Sequence, residues 1–110
     1  MDTATARKRL ETMLSDLDRT IGVLTGADAG ARDRSAADAG ADLTETERAK
    51  AMLDAARRQR RAIAEALERV HSGTYGRCVD CSKEVPEGRL EARPEAARCV
   101  SCQAKRERRR

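Results

Sequence analysis

Cys78-Val79-Asp80-Cys81 and, after seventeen intervening residues, Cys99-Val100-Ser101-Cys102 are the stretches on which the fold turns. Each C-x-x-C turn places two thiolates on one side of a knuckle, and two knuckles supply a tetrahedral shell of the kind that holds zinc. Cys78, Cys81, Cys99 and Cys102 are the chain's only cysteines, so none is left over for a disulfide or a reactive thiol. Four thiolates close the shell and leave no position for water or substrate, which makes one Zn2+ a structural rather than a catalytic ion. The surrounding segment offers only Tyr75, Val79, Val85, Leu90 and Val100 to pack, so the metal is expected to decide whether it folds.

The rest of the chain has the same shortage. Of 110 residues, 20 are alanine, and Leu, Ile, Val and Phe together number 15. That share lies below the ~20% at which a packed core becomes hard to sustain. Trp and Phe are absent and Tyr75 is the single aromatic residue. A conventional globular core is excluded, and a long helical seam is the economical substitute. No apolar run is long enough for a membrane span and Met1-Asp2-Thr3-Ala4 opens no signal-peptide core, so a soluble cytoplasmic protein is expected.

That seam is present twice. Leu10, Leu14, Leu17, Ile21 and Leu24 follow a 4-3-4-3 spacing. Ala49, Leu53, Ala56, Arg60, Ile63, Leu67 and Val70 repeat it, with Arg60 as the polar intruder whose stem covers the stripe while its head reaches water. One stripe needs a partner, and two in a short chain predict an antiparallel two-helix coiled-coil hairpin. Pairing Leu10 with Ile63, Leu17 with Ala56 and Leu24 with Ala49 centres the turn near residues 36–37. The fold class is therefore mainly α: a hairpin over 1–72 with its tip near 33–41, a four-cysteine zinc finger over 73–103, and a basic tail over 104–110.

The element ends can be read too. Thr44-Glu45-Thr46-Glu47 resembles a capping box and starts the second helix near Asp42 or Thr44, and Gly73 ends it as the residue just past the C-cap. A last helix is expected to begin at Pro94 and run through the second cysteine pair. Charge is partitioned: residues 28–47 carry a net −4, residues 48–71 a net +4, and the tail +4.

Gly73-Thr74-Tyr75-Gly76-Arg77-Cys78, followed by Val85-Pro86 and Arg89-Leu90-Glu91-Ala92-Arg93-Pro94 between the cysteine pairs, closely resembles the DksA/TraR family of bacterial transcription regulators. The resemblance implies a coiled-coil hairpin on a four-cysteine zinc finger. It implies a monomer that binds RNA polymerase rather than DNA, with the hairpin inserted into the secondary channel and tip carboxylates near the catalytic centre. The family tip pattern Asp-x-x-Asp-x-Ala falls on Ser35-Ala36-Ala37-Asp38-Ala39-Gly40, where Asp38 matches while Ser35 and Gly40 depart from it. Ser82 stands where the family usually has glycine. Arg93 matches a finger position linked to the family's guanosine tetraphosphate site, which brings that alarmone in as a partner.

Each candidate has a plainer reading beside it. Asp38 is either a tip carboxylate or an ordinary turn residue. Arg57, Arg58 and Arg61 either grip an acidic partner surface or form a solvated helix face. His71 is accounted for as a cation at a helix C-terminus, and Tyr75 as an anchor of the finger against the hairpin root. No nucleophile–base pair, phosphate-cradling glycine loop or paired carboxylates stand out, so an enzyme is not expected. The alternatives to a polymerase regulator are a nucleic-acid-binding zinc ribbon and a general protein-interaction adaptor. Five basic and five acidic residues across 76–103 argue against a phosphate-gripping finger.

Overall fold

The computed structural model describes residues 2–32 and 39–109, with side chains over 2–26 and 44–109. Among the described residues four helices follow in order: α1 (Thr3–Arg32), α2 (Ala39–Ser72), α3 (Glu87–Ala92) and α4 (Val100–Arg108). The chain divides into two compact units, residues 1–14 with 62–110, and residues 15–61. The start of α1 shares a unit with the end of α2, and the remainder of α1 shares the other with the start of α2. That is the antiparallel hairpin expected from the two stripes.

In the first unit the seam is dry. Ala6 and Leu10 of α1 and Ile63 and Ala66 of α2 are fully buried. Burying a Leu or Ile side chain contributes about 1.5–3 kcal/mol, so two such residues with two alanines make a narrow but real core. Asp2 starts α1, its Oδ1 accepting from the Thr5 backbone N–H at 2.7 Å. That cap, first through the Thr5 backbone and then through its side chain, holds the Asp2 carboxyl below its ordinary value. At the other end α2 stops as the sequence predicts. Gly73 has φ +78°, its N–H donates to Val70 C=O, and the Thr74 N–H reaches back to Arg69 C=O at 2.9 Å. These two bonds are the Schellman closure, and glycine accepts the left-handed backbone without a Cβ penalty.

In the second unit the stripe is shallower. Leu17, Ile21, Leu24, Ala49 and Leu53 are half-buried, and Ala56 is the buried side chain among the described residues. Arg60 is exposed, and its Nε donates to Asp18 Oδ1 at 2.6 Å across the two helices. The intruder in the seam is an interhelical ion pair.

Two expected boundaries move. Helix α2 already includes Ala39, Gly40 and Ala41, ahead of Asp42, with alanine, the best helix former, on both sides of the unfavourable glycine. The last helix begins at Val100, not Pro94. Between them the carbonyls of Pro94, Glu95, Ala97 and Arg98 accept from Tyr75 Oη, Arg69 Nη2, the Val79 N–H and Arg89 Nε respectively. Carbonyls spent on four different donors are not free to build a helical ladder. The expected turn at 36–37 lies outside the described residues.

Candidate metal centre

The first knuckle is a tight hairpin. Arg77 and Glu84 form an antiparallel bridge, the Cys78 N–H donates to Lys83 C=O at 2.8 Å, and the Val85 N–H donates to Gly76 C=O at 2.8 Å. Two residues take left-handed backbone to close it, Gly76 at φ +87° and Ser82 at φ +64°. Val85 and Leu90 are buried with Cys78, and Tyr75, Ala96, Cys99 and Cys102 pack against them. Leu90 comes from α3, a six-residue helix that the sequence reading did not resolve.

The second knuckle is a helix start. Cys99 is the N-cap of α4, its sulfur accepting from the Cys102 N–H at 3.5 Å. Cys99 therefore serves as cap and ligand at once. Arg98, just before it, donates through Nε to Asp80 Oδ2 at 2.8 Å, so a charge pair joins the two knuckles.

The sulfur atoms of Cys78, Cys81, Cys99 and Cys102 all lie within 4.8 Å of one another, and Cys81 Sγ and Cys99 Sγ are 3.8 Å apart. A tetrahedron with Zn–S of roughly 2.3 Å has edges of about 3.8 Å, whereas a disulfide needs about 2.05 Å. The spacing fits four ligands around one ion and no S–S bond.

The thiols themselves call for a cation. Burial works against charge on Cys78, but N–H groups of Cys81, Cys99 and Asp80 outweigh it and bring the thiol down to about 6. The Cys102 backbone N–H lowers Cys99 likewise. Cys102 is pushed up to about 12, first by its contact with Cys99 and then with Cys78. Four crowded thiols cannot all ionise alone, and a divalent ion displaces the last protons. These four cysteines are placed to hold one zinc.

The other sequence candidates are placed less fully. Ser35 and Asp38 lie outside the described residues, and Gly40 falls within the first turn of α2. Arg57, Arg58 and Arg61 are exposed on α2 in one compact unit, and Arg93, also exposed, closes α3 in the other. Tyr75 is half-buried, its hydroxyl donating to Pro94 C=O at 2.8 Å. Burial raises its phenol, with the Arg69 and Arg9 charges pulling the other way. The hydroxyl bond runs within the finger, and it is the Tyr75 backbone N–H, donating to Arg69 C=O at 3.2 Å, that reaches the end of α2. The Asp80–Arg98 pair went unread, although an acid inside one C-x-x-C loop and a base bordering the other were available as a signal.

Fold and site define a class: a helical hairpin carrying a closed, four-thiolate structural zinc finger. Residues 73–108 match the prokaryotic DksA/TraR C4-type zinc finger. The chain is 44% identical over 55 residues to the RNA polymerase-binding transcription factor DksA of Caulobacter vibrioides. It is 48% identical over 42 residues to an uncharacterised protein of Aquifex aeolicus. These matches span 39% and 29% of the respective relatives. The structure of transcription factor DksA2 from Pseudomonas aeruginosa superposes with a TM-score of 0.87 at 25% identity, covering 97% of this chain and 84% of that one. No helix among the described residues is long and apolar enough to cross a membrane.

Proposed function

We propose that this chain is a non-enzymatic regulator that binds bacterial RNA polymerase in the cytoplasm and modulates initiation. The hairpin over 1–72 enters the secondary channel, the finger over 73–103 stays at the rim, and the 104–110 tail adds basic charge outside. The observation that carries this reading is the match to DksA2 over nearly the whole chain, hairpin and finger together. A nucleic-acid-binding ribbon would need only the finger.

Asp38 is the tip group in this reading, with Ser35 and Gly40 flanking it. A carboxylate brought near a metal-centred nucleotide site alters the local field without taking part in catalysis. Arg57, Arg58 and Arg61 grip acidic surface at the rim. Arg93 belongs to a guanosine tetraphosphate contact, and the chain acts as a monomer.

The test is binding to core polymerase from the same organism, with open-complex lifetime as a second readout. Intact binding and a lost effect on initiation in Asp38→Asn support the tip role. Absence of any complex overturns the reading, and affinity for nucleic acid alone favours the ribbon.

A further inference from the structure

Tyr75 joins two parts of the finger's own compact unit that the metal does not touch directly. Its backbone N–H donates to Arg69 C=O at 3.2 Å, beside the Thr74 N–H on the same carbonyl. Its hydroxyl donates to Pro94 C=O at 2.8 Å. The last turn of α2 and the loop that feeds the second knuckle are therefore held by one residue, the first through its backbone N–H and the second through its hydroxyl.

The path from that loop to the metal is short. Ala97 C=O accepts from the Val79 N–H at 2.9 Å, and Val79 follows the ligand Cys78. Arg98 precedes Cys99, with its carbonyl held by Arg89 Nε at 2.9 Å and its side chain on Asp80. The carbonyls of residues 94, 95, 97 and 98 are thus each held, two of them by groups at or just past the end of α2: the Tyr75 hydroxyl at 2.8 Å on Pro94 and Arg69 Nη2 at the longer 3.5 Å on Glu95.

We propose that Tyr75 is a positioning residue for the zinc centre, and that through its hydroxyl zinc occupancy is linked to the closure of the C-terminal end of α2. The linkage is reciprocal: whatever zinc contributes to the order of the Arg69–Tyr75 closure, that closure returns to zinc retention. The polymerase reading is not needed for it.

Two measurements on the full chain test it. Hydrogen exchange at the Thr74 and Tyr75 amides, with and without zinc, reads the coupling in the wild type. Removing zinc raises exchange at both by about tenfold or more, because the carbonyl they share loses its support. Tyr75→Phe keeps the ring and deletes the hydroxyl. Zinc then passes to a chromophoric chelator about three- to tenfold faster, and the zinc dependence of exchange at residues 74 and 75 shrinks. A purely packing role for the ring would move neither, since phenylalanine packs the same way. Wild-type exchange at both amides that ignores zinc, or zinc release from Tyr75→Phe at the wild-type rate, overturns the proposal. Wild-type exchange that ignores zinc overturns the proposal even if the variant folds poorly, and a rise on zinc removal supports it only where that rise shrinks in Tyr75→Phe.

Discussion

Arg98 Nε donates to Asp80 Oδ2 at 2.8 Å, and this contact ties the loop between Cys78 and Cys81 to the residue before Cys99. The Arg98 side chain is only 21% exposed, against 47% for Asp80, so the pair sits at the edge of the finger rather than free in solvent. Four thiolates around Zn2+ leave the centre with an excess of negative charge, and a guanidinium beside the second knuckle offsets part of it.

Asp80→Ala is expected to lower the stability of the zinc-loaded finger by about 0.5–1 kcal/mol, the range for a partly exposed ion pair. Thermal melts of the holo protein measure it. The loss should be smaller in high salt, where screening has already weakened the pair.

Ser82 holds φ +64° where glycine would be unstrained. Left-handed backbone costs a side-chain-bearing residue roughly 1–2 kcal/mol, part of which glycine returns through the entropy of the unfolded chain. Ser82→Gly is therefore expected to stabilise the finger by about 0.5–1 kcal/mol. Denaturant titration of the zinc-loaded protein checks the sign, and a destabilised variant would mean the hydroxyl has a role the backbone does not reveal.

Gly22 and Gly26 lie inside α1, and a methyl group at either would meet nothing within 4 Å. Alanine gains about 0.5–1 kcal/mol over glycine in a helix interior. Gly22→Ala and Gly26→Ala should each raise helical stability by that order, read by circular dichroism melts. Their effects should add only partly, since they sit one turn apart on one helix.

Asp2 has its carboxyl lowered by the cap on Thr5, so its contribution is complete above the unfolded value of about 3.9 and is lost as pH falls through the lower folded value. Wild-type stability should therefore decline more steeply below about pH 4 than that of Asp2→Asn, which has no carboxylate to protonate. Parallel curves would show that the cap contributes no charge-dependent stability.

Much of the architecture was legible because it depends on residue spacing. Leu10 and Ile63 fall on 4-3 stripes and are fully buried, and Gly73 marks the helix end because only a residue without Cβ turns there cheaply. The C-x-x-C pairs give the metal for the same reason. The stretch from Pro94 to Cys99 was misread because proline at a helix start is a local signal, whereas its carbonyls are claimed by Tyr75, Val79 and Arg89 from elsewhere in the chain. Arg60 is exposed and bonded across the helices, and its partner Asp18 lies 42 residues away, so nothing local names it.

Chelating the metal is expected to unfold residues 74–103 while α1 and α2 keep part of their helicity, because Ala6, Leu10, Ile63 and Ala66 are buried and lie outside the cluster around Cys78. A far-ultraviolet spectrum unchanged on chelation would contradict a metal-held finger.

The most direct measurement of the central claim is a crosslink map of the zinc-loaded chain with core RNA polymerase, using a photoreactive residue at position 38. The account predicts crosslinks inside the secondary channel that disappear when the channel is blocked. A complex whose crosslinks from position 38 fall only on the outer surface, or no complex at all, would contradict it.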